Sequence, residues 1–448
     1  MRRICVVGRV VGLMAAIAAT GIMFAGCAGA TTIERVVSPG GIEAWLVHER
    51  AVPLIAVEFA FAGGAAQDPA GKAGTATLTA SLLDAGAGDL DSTAFSDRLE
   101  RKAIQLSFSA QRDTIRGTMR TLTENRDDAF ELLRLAVTAP RFDTKDVEIS
   151  RAQILSLLRR ETTSPTDIAS RRWWETAFEG HPYGRPVNGT SDTVSSISVA
   201  DLKSYTHRVL ARQNLKIAVV GDIDAETLKA LLDRTFGALP EKPELYPITN
   251  VAPLGLGRRI EVSLDVPQTV VDFGGPGIAR QDPDFMAAYL VNHILGGGST
   301  DSRLYQEVRE KRGLAYSVSD NLVWLDHAAV LLGGTATRAD RAGETVDLIE
   351  REIHHFADNG PTAGELLEAK RYLSSAFALN LDSSTKIAGL LVQLQLDGFG
   401  TDYFSRRTAM IEAVTLDDAR RVAKRLLDKG LLVTVVGKPQ GFASSKPN

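Results

Sequence analysis

The sequence predicts an α+β protein built from two similar domains, and three observations carry that expectation. The chain has 448 residues, more than one compact core usually serves. Runs rich in β-formers and closed by glycine are mixed with long amphipathic stretches of helical period. These landmarks also occur twice in the same order, around a proline-rich segment holding Pro240, Pro243, Pro247 and Pro253. A repeat of about 215 residues is a domain duplication, since solenoid units are far shorter.

Composition narrows the function classes. With 44% apolar, 6% aromatic and 24% charged residues the chain is an ordinary globular one. Its 51 basic and 55 acidic side chains give a formal charge of −4, which offers no electrostatic footprint for nucleic acid. Two cysteines, Cys5 and Cys27, exclude a disulfide scaffold and a thiolate zinc cluster.

From the N-terminus, residues 1–26 read as a secretory signal peptide: Arg2, Arg3 and Arg9, then an apolar stretch from Val10 to Phe24. That stretch would cover about 22 Å as a helix, short of a hydrocarbon core of roughly 30 Å. Phe24-Ala25-Gly26-Cys27 resembles the lipobox of bacterial lipoproteins, with Phe24 where leucine is usual. The resemblance implies lipidation at Cys27 and a periplasmic, outer-membrane lipoprotein, because Ala28 lacks the aspartate of an inner-membrane retention signal. Simple secretion is the alternative. Loss of residues 1–26 removes three arginines and no acid, making the formal charge −7. Residues 27–35 are then a tether.

The first domain is expected over 36–240, a linker over 241–256 and the second domain over 257–442. The strand Pro53-Leu54-Ile55-Ala56-Val57-Glu58-Phe59, followed by Gly63-Gly64, matches Pro267-Gln268-Thr269-Val270-Val271-Asp272-Phe273, followed by Gly274-Gly275. Asp68-Pro69 opens a helical segment, and so does Asp282-Pro283. Apolar stripes at helical spacing follow: Phe130, Leu133 and Val137 in one copy, Met286, Leu290, Ile294 and Val346, Ile349, Ile353 in the other. The copies close on Ile217-Ala218-Val219-Val220-Gly221 and Val433-Thr434-Val435-Val436-Gly437.

The common chemistries find little support in the residues alone. Gly296-Gly297-Gly298-Ser299-Thr300 lacks the lysine of a phosphate loop and reads as a helix end and turn. No Gly-x-Ser-x-Gly elbow is present. Of His48, His181, His207, His293, His327, His354 and His355, no two stand three or four apart, the spacing that puts metal ligands on one helical face. His354 and His355 point about 100° apart on a helix, so a solvated pair is expected. His293, among apolar residues, reads as a core histidine, and His181-Pro182-Tyr183-Gly184 as a loop.

The succession Gly296-Gly297-Gly298, Ser302-Arg303-Leu304 and Val308-Arg309-Glu310-Lys311-Arg312-Gly313-Leu314-Ala315-Tyr316-Ser317 resembles the second half of insulinase/pitrilysin zinc peptidases, which include the mitochondrial processing peptidases. His181-Pro182-Tyr183-Gly184, Gly189-Thr190 and the duplicated layout fit the same family. The resemblance implies two homologous α/β rolls, each a mostly antiparallel sheet flanked by helices, facing each other as a clamshell. In catalytic relatives the first roll carries His-x-x-Glu-His on a helix, with a distant glutamate completing the zinc site. Here the motif positions fall on Thr77, Ala80 and Ser81, and the helical stretch 150–158 expected to supply the last ligand has no acid. A hydroxyl binds zinc weakly and a methyl not at all, so no cofactor is expected in this chain.

Arg309 and Tyr316 match the family pair that reaches across the chamber to substrate. A guanidinium and a phenol can donate hydrogen bonds to a substrate carbonyl and to an oxyanion. Read without the resemblance, Arg309 is one surface charge among several and Tyr316 a strand packing residue. The combination implies a non-catalytic, substrate-binding subunit of a two-chain peptidase. Its partner would be a zinc-bearing homologue, and its substrate an extended peptide added to a sheet edge. The alternatives are a structural or peptide-binding scaffold of the same fold, and an enzyme with a relocated metal site.

Overall fold

The structure is a computed structural model that describes residues 32–297, 300–379 and 381–445. The expected signal peptide and lipobox-like segment with Cys27, and Gly298 and Ser299 of the glycine-rich turn, lie outside the described residues. The first sheet contains β1 (Ile33–Val37), β2 (Glu43–His48), β3 (Leu54–Ala62), β4 (Gln105–Ala110), β5 (Thr114–Leu122) and β6 (Leu215–Gly221). Their spatial order is β1-β2-β6-β3-β5-β4. The second sheet contains β7 (Arg259–Ser263), β8 (Gln268–Pro276), β9 (Ala315–Trp324), β10 (Ala329–Arg338) and β11 (Leu432–Gly437), in the order β7-β11-β8-β10-β9. In each sheet one pair is parallel, β2 with β6 and β7 with β11, and the other pairs are antiparallel. The duplication read from sequence is therefore a duplication of strand order, short of one edge strand in the second copy. β1 already begins at Ile33, inside the segment expected to be tether.

Alternation along each strand decides what the sheets can pack against. Ile55, Val57, Phe59 and Phe61 of β3 face one way into the first core. The helices Arg126–Thr138, Val199–Val209 and Ala225–Phe236 cover that face with buried Phe130, Leu133, Val137, Leu202, Tyr205, Leu228 and Leu232. The second core is built alike from the helices Phe285–Leu295, Ala342–Asn359 and Leu416–Leu427. The stripe residues named from sequence for the second copy, Met286, Leu290, Ile294, Val346, Ile349 and Ile353, are all buried there.

The other face of each sheet is covered by a helix from the opposite roll. Pro165–Ala177, of the first roll, packs on β8 and β11, and Ser384–Leu396, of the second, packs on β3 and β6. Trp173 is fully buried and donates its indole N–H to the Leu432 carbonyl (3.1 Å). A Cβ on Gly274 would sit 2.7 Å from the Trp173 ring, so glycine is needed for this approach. Gln395 answers from the other side by donating to the Ile217 carbonyl (2.9 Å). The linker is pinned to both rolls, with Tyr246 N donating to Gln67, Val251 N to His327 O and Leu254 N to Ala177 O.

Candidate functional site

The helix that should carry the metal motif, Thr75–Ala80, is only six residues long and packs against the first roll's own elements. The Thr77 hydroxyl donates to the Val187 carbonyl (2.8 Å), and the Ser81 hydroxyl to the Leu78 carbonyl (3.0 Å). Ala80 is buried. The two hydroxyls thus tie down backbone, and the third position is core. The downstream helix differs from the sequence expectation: it runs over Thr144–Glu161, longer than 150–158, and does carry acids, namely Asp146, Glu148 and Glu161. Glu161 is nevertheless committed, accepting from Arg171 (2.7 Å) and from Asn188 (2.9 Å). Among the described residues no group of three His, Cys, Asp or Glu side chains is arranged to hold a metal ion. The residues at the motif positions do not fit zinc.

The histidines fall in scattered settings. His354 faces Asp358 at 3.9 Å on its own helix. His293 is half-buried rather than a core residue, stacked on Tyr372 with ring centroids 4.8 Å apart, and burial lowers its pKa. The His181 segment forms one 3-10 turn, Pro182–Gly184, in place of the open loop expected. Its Tyr183 is fully buried, and the hydroxyl donates to Asp113 (2.7 Å) while accepting from His327 N (3.0 Å).

Arg309 and Tyr316 are brought together. Arg309 is the penultimate residue of a π-helical turn, Tyr305–Glu310, and its guanidinium lies 5.8 Å from the Tyr316 ring centroid. Lys311 and Arg312 both pair with Glu307, whereas the Arg309 side chain has no ion pair or hydrogen bond among the described residues. Tyr316 is 80% exposed, which excludes a packing role. The register explains why. β9 pairs Val318 with Thr335 and then Ala315 with Thr337, so Tyr316 and Ser317 together oppose Ala336. This is a β-bulge, a device that redirects a side chain away from its sheet. It sits on an edge strand, where backbone donors and acceptors stay open to an added strand. No hydrogen bond, ion pair or ring contact joins Arg309 or Tyr316 to Thr77, Ala80 or Ser81 in the described residues.

A charged cavity between the rolls escaped the sequence reading. Its walls come from the β4–β5 and β9–β10 turns, the start of β5, the loop after β8 and the end of the helix Ser384–Leu396, and include Arg112, Asp113, Arg116, Arg280, Asp326 and Asp397. These residues are separated by up to about 285 positions, so no local spacing could have announced them.

Comparison with known proteins accords with the geometry. A family profile described as "Insulinase (Peptidase family M16)" matches residues 46–191, and one described as "Peptidase M16 inactive domain" matches 196–373. An uncharacterized zinc protease of Streptomyces coelicolor is 26% identical over 432 residues, covering 94% of this chain and 93% of that protein. The non-peptidase homolog YmxG of Helicobacter pylori is 26% identical over 326 residues, 72% of this chain and 74% of its own. The solved structure of a peptidase M16 inactive domain from Pseudomonas fluorescens superposes with a TM-score of 0.85 at 26% identity, over 93% of this chain and all of that one. Two α/β rolls and family profiles that together cover residues 46–191 and 196–373 place the chain in the insulinase family, peptidase family M16.

Proposed function

We propose that this chain is the non-catalytic, substrate-binding subunit of a two-chain zinc-dependent peptidase that degrades or processes peptides in the periplasm. One observation carries the reading. The metal-motif positions have become structural, while Tyr316 is held outward on a bulged edge strand and Arg309, on the π-helical turn before it, keeps a side chain with no ion pair or hydrogen bond among the described residues. A zinc-bearing homologue would supply hydrolysis. This chain adds substrate peptide along β9 through main-chain hydrogen bonds, and Arg309 and Tyr316 donate to the substrate carbonyl and the developing oxyanion. It needs no metal of its own. That the Helicobacter pylori relative is named a non-peptidase homolog supports a reading without independent catalysis.

The test measures peptide hydrolysis by this chain, by a His-x-x-Glu-His homologue from the same organism, and by the mixture. Activity is expected only in the mixture, falling about ten- to a thousand-fold with Arg309→Ala or Tyr316→Phe. Unchanged rates in both variants would remove their assigned roles. A homologue fully active by itself, with no complex formed on mixing, would favour a scaffold. Stoichiometric zinc in the chain alone would overturn the absence of a metal site. The proposed lipoprotein anchor is tested by fatty-acid labelling in cells, which Cys27→Ala should abolish.

A further inference from the structure

We propose that the cavity between the two hairpin turns is a binding site for a short zwitterionic peptide, with Arg112 receiving its carboxylate and Asp326 its ammonium group. The cavity is about 520 Å³, within the range of small-ligand sites and the size of a di- or tripeptide. Both rolls build it. Arg112 and Arg116 come from the first, and Arg280, Trp324, Asp326 and Asp397 from the second.

Most of its charges are already engaged. Arg280 pairs with Asp397 (3.3 Å) and donates to the Tyr403 hydroxyl (2.7 Å). Asp113 is taken by the Tyr183 hydroxyl and by the amide of Asp326 (3.1 Å). Arg116 donates to Gln393, although its Nε is buried without a partner. Two charges of opposite sign remain. The Arg112 guanidinium lies over Trp174, 3.6 Å from the ring centroid, and only its Nε reaches a protein acceptor, the Tyr183 carbonyl at 3.4 Å. Its terminal nitrogens have no partner among the described residues. The Asp326 carboxylate likewise has neither an ion pair nor a hydrogen bond there.

Their surroundings favour a ligand. Burial lowers Arg112 to about 10, which leaves it cationic at neutral pH and poorly solvated. Burial, then the nearby Asp113 and Asp397, push Asp326 up to about 6, so an arriving ammonium relieves repulsion among three acids. The cation–π contact with Trp174 and the hydrogen bond to the Tyr183 carbonyl hold Arg112 in place in advance, which lowers the entropy cost of binding. Arg112 and Asp326 both line this cavity, and the Asp326 amide held by Asp113 ties the two turns that carry them together. A peptide joining them would bridge the hairpin turns of the two rolls.

Calorimetric titration of the chain alone with trialanine, N-acetyl-trialanine and trialanine amide tests this, independently of any peptidase partner. Trialanine should bind, and each cap should weaken binding about ten-fold or more, the usual effect of losing one charge-assisted hydrogen bond. Asp326→Asn should weaken trialanine about as much and become indifferent to the acetyl cap. Arg112→Gln should become indifferent to the amide. The Asp326 carboxylate has no partner to lose among the described residues, so its variant decides the matter even if Arg112→Gln unfolds. No heat from trialanine at about 10 mM, or capped peptides binding as tightly as the free one, would overturn the proposal.

Discussion

Arg309 and Tyr316 can be separated from their neighbours by what their removal should leave intact. Their one mutual contact is a cation–π approach at 5.8 Å on the surface, worth about 0.5–1 kcal/mol. Arg309→Ala and Tyr316→Phe should therefore each change stability by less than about 1 kcal/mol in thermal denaturation, so that any loss of activity reports on substrate. Asp272 poses the opposite case. It occupies the position in β8 that Glu58 holds in β3, and it has no hydrogen bond or ion pair among the described residues. Burial alone pushes its carboxyl up to about 7. The folded state then keeps a proton that the unfolded state releases near its ordinary value of about 3.9. The stabilising contribution is complete below that value and is lost as pH rises through 7. Asp272→Asn should thus raise the melting temperature relative to the parent at pH 8 and much less at pH 5, with a difference of up to a few kcal/mol. Equal effects at both pH values would mean that the carboxyl is solvated.

At the scale of elements, the two exchanged helices are the main device. Trp173 places a fully buried indole and one hydrogen bond against the opposite sheet. Trp173→Ala should cost about 3–5 kcal/mol, the usual loss for a large aromatic cut from a core, and should loosen the rolls from one another. Chemical denaturation followed by far-UV circular dichroism would show a lower midpoint and a broader or split transition. Sequence periodicity shows the helices that cover their own sheets, because Phe130, Leu133 and Val137 form a stripe that needs no knowledge of a partner. It does not show that Pro165–Ala177 serves the other roll, since an apolar face is the same whichever sheet receives it. The bulge at Tyr316 was hidden for a related reason: it exists only in the register with β10. The Arg309 to Tyr316 block was legible as a family resemblance, while the Arg112 and Asp326 cavity, assembled from turns of different rolls, left no local pattern.

The whole molecule behaves as one unit because each roll lacks part of its own cover. Trp45, Val47, Ala60, Ala218 and Val220 belong to the first sheet yet are buried in the core cluster of the second roll. Val330 and Leu432 of the second sheet are buried with Trp173, Trp174 and Phe178 of the first roll. Cutting the chain in the linker would expose both sets, and contiguous apolar patches of that kind lead to association or precipitation. Residues 32–240 and 257–445 expressed separately should therefore be poorly soluble or molten, with exposed surface that binds a hydrophobic dye. Co-expressed, they should form a stable one-to-one complex even without the linker residues, because the exchanged helices Pro165–Ala177 and Ser384–Leu396 make the interface by themselves. Size-exclusion chromatography with light scattering would distinguish these outcomes. Two well-folded, monomeric halves that ignore each other would mean that the exchange of helices is dispensable, and that the clamshell is two independent domains joined only by chain.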